Sequence, residues 1–237
     1  MQLEVCLSPS MFHNYAKKDS IAVVVDIFRA SSAIATAFDN GVEKIIPVGT
    51  LDEAREYKNK GFLIAAERDG IVLDFADFGN SPYNFIGEHL EGKTIVYSTT
   101  NGTQAINSAS VCEQVVIGAF INHSAVCNWL VQQKRDVIIL CAGWKDRFSY
   151  EDSVYAGAMV ETLIETGRFE TICDSALATQ DLWKLAKTDL MEYKEKFAHR
   201  HRLKRLKLDD VVEYCLSFDK IDVVPVFENS VITNINS

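Results

Sequence analysis

Ile21-Ala22-Val23-Val24-Val25-Asp26-Ile27-Phe28-Arg29-Ala30-Ser31-Ser32 is the stretch that decides the fold. A run of buried-type apolar residues stops at small and polar ones, where the spacing of Ile34, Ala35, Ala37 and Phe38 predicts a helix over 31–40. Gly41 follows as its expected stop, and 44–48 is again β-branched. Strand, helix and strand in that order predict a right-handed parallel crossover.

Three further strand ends repeat the pattern. Phe62–Ala66 reaches Glu67-Arg68-Asp69-Gly70; Thr94–Tyr97 reaches Ser98-Thr99-Thr100-Asn101-Gly102-Thr103; Val137–Leu140 reaches Cys141-Ala142-Gly143. Strands are also expected at 114–118 and 136–141, with helices at 51–60, 102–109, 122–134 and 150–166. The fold class is therefore α/β, three layers α/β/α around a largely parallel or mixed central sheet. Residues 1–237 read as one unit, and about 170–237 as a lid or small subdomain. That tail holds a charged helical stretch at 178–200, a helix near 209–218 and a strand pair around 223–234. Carboxyl ends of strands and the helix N-termini beside them favour an anion, so phosphate is expected at one edge of the sheet.

Composition narrows the partners. A net charge of -9 argues against nucleic acid, whose affinity rests on Lys and Arg. No apolar run approaches the ~20 residues of a membrane span. The start, Met1–Cys6, lacks the pattern of a signal peptide, and the six cysteines show no CxxC spacing. Reduced thiols and a cytoplasmic location are expected. Self-association is left open.

Several constellations can carry chemistry. Asp26 is placed as a metal ligand or catalytic carboxylate, and Arg29 offers a planar fork for phosphate or sulfonate. Ser31 and Ser32 can cap the helix and contact the anion; a plain cap with an exposed Arg is the alternative. Phe28 stands where the haloacid-dehalogenase phosphatases need a second Asp, which disfavours that mechanism. Thr99, Thr100, Asn101, Gly102 and Thr103 lack large apolar side chains, as expected where the backbone approaches a ligand. They lack the Gly-Lys-Ser/Thr ending of a Walker A loop, so ATP is not implied.

Cys141 and Arg147 share the Cys-x5-Arg spacing of thiolate phosphatases, but Trp144, Lys145 and Asp146 are too bulky for such a loop. In the competing reading Ser149 caps a helix whose first turn carries Glu151 and Asp152, as catalytic or Mg2+-binding acids or as plain complements to the helix dipole. Asp26, Glu67 and Glu151 form the oxygen-rich set that suits Mg2+. No His pair has zinc spacing. The run His199–Lys207 reads as a solvated helix face, with a lid His or Arg reaching the substrate as the sharper alternative.

In order along the chain, Asp26-Ile27-Phe28-Arg29-Ala30-Ser31-Ser32, Glu67-Arg68, Phe78-Gly79-Asn80-Ser81-Pro82, Ser98–Thr103, Phe120-Ile121-Asn122, Cys141-Ala142-Gly143 and Phe148–Asp152 resemble the 2-phosphosulfolactate phosphatase family of coenzyme M biosynthesis. The likeness extends to His201, Leu208–Cys215 and Val224-Pro225. The family's segment after Cys-Ala-Gly usually carries a small residue where this chain has Lys145-Asp146-Arg147. The resemblance implies Mg2+-dependent hydrolysis of (2R)-2-phospho-3-sulfolactate to 3-sulfolactate and phosphate. Asp26, Arg29, Glu151 and Asp152 would be catalytic. Ser31, Ser32, Asn80, Ser81, Thr99–Thr103, Cys141 and Gly143 would bind the small anionic substrate. A Cys141-based, metal-independent phosphatase and a non-catalytic anion-binding protein stand as alternatives.

Overall fold

A computed structural model describes residues 1–235. In chain order the elements are β1 (Leu3–Cys6), β2 (Ile21–Val25), α1 (Ala30–Asp39), β3 (Lys44–Pro47), α2 (Leu51–Asn59), β4 (Leu63–Arg68), β5 (Ile71–Val72), β6 (Thr94–Ser98) and α3 (Gly102–Ala109). They continue as β7 (Gln114–Gly118), α4 (His123–Gln133), β8 (Val137–Cys141), α5 (Tyr150–Glu165), α6 (Asp174–Ala186), α7 (Leu190–Tyr193), α8 (Ala198–Arg205), α9 (Val212–Cys215), β9 (Pro225–Glu228) and β10 (Val231–Asn234).

All ten strands join one mixed sheet, in the order β1-β8-β2-β7-β9-β10-β3-β6-β4-β5. The strands of the first group, β1, β8, β2 and β7, are mutually parallel, as are β3, β6 and β4 of the second. Every residue of β2 and β8 is buried, as expected for parallel strands covered on both faces by helices. Between the groups lies the β9–β10 hairpin. Its turn residues Asn229 and Ser230 both take positive φ, which matches the right-handed twist of the flanking strands.

The hairpin changes the geometry of the strand ends. β7 is antiparallel to β9, β9 to β10, and β10 to β3, so the two parallel groups run in opposite senses. β2–α1–β3 is therefore not the parallel crossover that its sequence predicts, because the inserted hairpin reverses the second group. The carboxyl ends of the two groups nevertheless meet. Beyond β8 the Lys145 N–H donates to Asn101 Oδ1 beyond β6, at 3.0 Å. The expected single edge is therefore a cleft between two sets of strand ends that face each other. Only one residue pair, Ile232 with Ile45, joins β10 to β3.

Local chemistry accounts for the boundaries. Gly41, at φ 83°, ends α1, with the Val42 N–H returning to the Ala37 carbonyl. Thr50 and Glu53 form a reciprocal capping box on α2. After Glu67 the chain makes no helix: Asp69 and Gly70, both at positive φ, turn β4 back into β5. Gly157 admits α6 against α5, because a Cβ there would collide with the Thr179 carbonyl. Residues 170–235 do three different things: α6 packs on α5, α8 lies over the strand ends, and β9 and β10 enter the middle of the sheet. Among the described residues no helix is long and apolar enough to cross a membrane.

Candidate active site

Asp26 follows β2 directly and is buried, with its carboxylate at the N-terminus of α1, where the Ala30 N–H donates to it. Burial is the largest influence on it and raises its pKa; His199 opposes this, Glu67 and Glu151 add to it, and the group titrates at about 6. Arg29, the N-cap residue of α1, is 4% exposed. Among the described residues no carboxylate lies within ion-pair distance of its guanidinium. Burial lowers its pKa, opposed by Tyr97, Cys215, Glu67 and Asp210. A buried guanidinium without a partner is costly unless it receives an anion. The Phe28–Arg29 peptide bond is cis.

The first turn of α5 supplies two more buried carboxylates. Ser149 caps the helix, its Oγ accepting from the Asp152 N–H at 3.5 Å. Asp152 braces two strand ends, accepting the Ile27 N–H on Oδ1 at 2.9 Å and the Gly143 N–H on Oδ2 at 3.1 Å. Burial, with the charges of Glu151 and Asp26, pushes its carboxyl well above the ordinary range. Glu151 behaves oppositely. Burial alone would raise it, but His199, whose Nδ1 lies 3.2 Å from Oε1, together with the Glu151 N–H and the Ser149 hydroxyl outweighs burial and holds it below the usual value.

The second group of strands contributes Glu67 and the Thr99–Thr103 loop. Glu67 is buried and accepts from the Thr100 N–H at 2.8 Å, the Thr100 hydroxyl at 3.2 Å and the Gly70 N–H at 2.6 Å. Thr99 and Thr103 bond one another across the first turn of α3. Gly102 makes room for Asp26: a Cβ there would sit 3.1 Å from Asp26 Oδ2 and 2.7 Å from the Ala30 Cβ.

Across residues 6–230 the chain matches the family model described as 2-phosphosulpholactate phosphatase. It is similar to a probable 2-phosphosulfolactate phosphatase of Caldanaerobacter subterraneus subsp. tengcongensis, 35% identical over 91% of this chain and 90% of that one. A protein of the same name from Thermotoga maritima is 38% identical over 89% of this chain and 90% of its own. Another, from Clostridium botulinum strain Eklund 17B, is 33% identical over 96% and 97% respectively. The chain belongs to the 2-phosphosulfolactate phosphatase family. That is a family of phosphoric monoester hydrolases.

In this family member, the structure treats the sequence-predicted site residues differently. Asp26, Arg29, Glu67, Glu151 and Asp152 come together through the contacts and mutual charges above. The hydroxyls of Ser31 and Ser32 turn to the protein: Ser31 Oγ accepts the Asp26 N–H at 2.9 Å, and Ser32 Oγ donates to the Ile27 carbonyl at 3.3 Å. Neither caps α1. Asn80 lies level with Glu67, because Phe78 pairs in parallel with Ala65, and its buried Oδ1 has no partner among the described residues. Ser81 starts a 3-10 turn without a side-chain cap. Cys141 is fully buried, and burial pushes its thiol well up, opposite to an activated nucleophile. Gly143, at φ 66°, takes a conformation that only Gly adopts freely, and a Cβ there would collide with the Arg147 carbonyl.

Two residues near the carboxylates, Tyr97 and Trp144, carried no distinct sequence signal, and a third, His199, stood out only within the basic run 199–207. Tyr97 reads as an ordinary strand aromatic, yet its buried hydroxyl has no partner among the described residues and feels the charges of Asp26, Glu67 and Arg29. His199 and Trp144, whose rings lie 5.1 Å apart, meet only through the tertiary fold.

Proposed function

We propose that this chain hydrolyses 2-phospho-3-sulfolactate, or a closely related phosphorylated hydroxy acid, to 3-sulfolactate and phosphate with Mg2+. The observation that carries the reading is Arg29, buried with no ion-pair partner among the described residues, while Glu67 acts on both its charge and that of the buried Asp26. A phosphate monoester supplies the anion that this guanidinium lacks, in the planar bidentate geometry Arg favours. The names of the relatives support the same substrate.

The donor set fits Mg2+. Asp26, Glu151 and Asp152 are buried together and influence one another's charge, with the His199 imidazole 3.2 Å from Glu151. Among the described residues no three side chains already form a metal-ligand group. Mg2+ commonly takes one or two carboxylates and completes its shell with substrate phosphate and water. Asp26 and Glu151 would hold it. Asp152 and Glu67, whose oxygens already accept backbone N–H groups, brace the loops instead. When bound, Mg2+ would neutralise charge on the phosphoryl oxygens. The protein's own part is to grip phosphate through Arg29 and the N-terminal ends of α1 and α3, and to hold Asp26 in place through Gly102. Six unpaired cysteines support a reducing, cytoplasmic setting.

The test is phosphate release from 2-phospho-3-sulfolactate beside phospholactate and phosphoglycerate, with and without Mg2+. Release that stops with EDTA and favours the sulfonated substrate is expected. No release from any of the three would leave an anion-binding protein without catalysis.

A further inference from the structure

Above Glu151 opens a cleft of about 380 Å3, lined among others by Trp144, Arg147, Glu151, Lys196, His199 and Arg202. In a chain of net charge -9, three cations collect there. Among the described residues none of Arg147, Lys196 and Arg202 has a carboxylate within ion-pair distance. The cleft shares Glu151 and His199 with the carboxylate cluster, so it is continuous with the candidate active site.

Arg202 is the most constrained of the three. On α8, His199 and Arg202 are three residues apart and so share a face. His199 reaches Glu151, while the Arg202 guanidinium stacks 4.2 Å from the centre of the Trp144 ring. Its Nε is buried with no hydrogen-bond partner among the described residues. Among the described residues none pairs with the fork, and the Trp144 ring holds it in position. The weakly hydrated guanidinium, backed by an aromatic face, suits a weakly hydrated tetrahedral anion.

Resting on the phosphatase reading above, we infer that Arg202, stacked on Trp144, binds the sulfonate of the substrate while Arg29 and Asp26 engage its phosphoryl group. α8 would act as the element that selects a sulfonated substrate.

Titration calorimetry on the full chain tests this with 3-sulfolactate and lactate, which share the carboxylate and hydroxyl and differ in the sulfonate. Wild type is expected to bind 3-sulfolactate more tightly. Arg202→Gln should lose about ten- to hundredfold in 3-sulfolactate affinity, the range for a hydrogen bond to a charged group, and most of the preference over lactate. Arg202→Lys, which keeps the charge without the planar fork, should fall between; if Arg202→Gln does not fold, this variant carries the comparison. Arg200→Gln, whose parent side chain pairs with Glu195 at 2.7 Å, should keep the wild-type ratio. An equal loss for both ligands, an undiminished preference in the Arg202 variants, or no preference in wild type would each overturn the inference. Phosphate release is scored separately. Sulfonate binding through Arg202 without phosphate release would defeat the phosphatase reading and leave this one standing.

Discussion

His199 Nδ1 lies 3.2 Å from Glu151 Oε1, joining a helix near the end of the chain to the first turn of α5. Through this contact the tail helps to hold a central carboxylate in its charged form against the burial that opposes it. Phe28 and Trp144 flank the imidazole, with ring centres 6.1 Å and 5.1 Å away. Replacing His199 with Phe keeps the packing and removes the partner. Turnover is expected to fall about ten- to a thousandfold, and a fold-sensitive signal such as near-UV circular dichroism should remain.

Asp26→Asn separates activity from stability. Phosphate release should drop by about two to four orders of magnitude. In the folded chain Asp26 titrates at about 6, above its ordinary 3.8, so the fold binds the extra proton between those values. Stability from this group is therefore present at low pH and is lost as pH rises toward 6. Without metal, Asp26→Asn should be about 1–3 kcal/mol more stable than wild type at pH 8 and show no gain at pH 4. Added Mg2+ should narrow the difference, since only wild type gains the ligand. Thermal denaturation at the two pH values reads both effects.

At Gly102 the constraint is steric. The 2.7 Å approach of a new Cβ to the Ala30 Cβ, and 3.1 Å to Asp26 Oδ2, means Gly102→Ala must displace the carboxylate or the α1 N-terminus. A loss of about 1–3 kcal/mol in stability is expected, together with at least a tenfold fall in kcat, roughly the cost of overpacking a closed site. Denaturant unfolding and steady-state kinetics on the same preparation check it.

Cys141 tests the chemistry. A fully buried thiol held in its protonated form cannot initiate attack, so Cys141→Ala should retain activity within a fewfold of wild type, at a stability cost of about 1 kcal/mol. EDTA should abolish activity in both proteins. Abolition by Cys141→Ala together with indifference to EDTA would replace the metal-assisted reading with the thiolate one.

His123 provides a pH probe away from the cleft. Burial lowers its pKa from 6.5 to about 4, and its Nε2 bonds the Thr162 hydroxyl at 2.9 Å. The unfolded chain binds the proton first as pH falls. The stability from keeping this imidazole neutral is thus full above 6.5 and lost on descent toward 4. The stability difference between wild type and His123→Asn should shrink by about 2–3 kcal/mol over that window.

Local sequence determined β2, α1 with its Gly41 stop and the Ser149 cap of α5, because each follows from hydrophobic period and turn chemistry within a dozen residues; the parallel β2–α1–β3 crossover it predicted does not form, since β3 joins the oppositely directed group. It also brought Asp26, Arg29, Glu151 and Asp152 forward as candidates, since polar residues at strand ends and helix starts stand out against apolar runs. β1 was not legible, because Leu3–Cys6 is short and becomes a strand only by pairing with β8. Ser31 and Ser32 look like caps by type, yet backbone groups from Asp26 and Ile27 claim their hydroxyls.

Tertiary structure alone decided the rest. The insertion of β9 and β10 between two oppositely directed groups turns one expected edge into two facing sets of strand ends. That convergence sets Gly102 against Asp26 and the Lys145 N–H on Asn101, over sequence separations that no local pattern encodes. The basic run 199–207 likewise reads as solvated until the fold shows that one of its faces, through His199 and Arg202, meets Glu151 and Trp144. Period and propensity report which side chains share a face of one element. Which faces then meet depends on packing between distant elements, and only the folded chain expresses that.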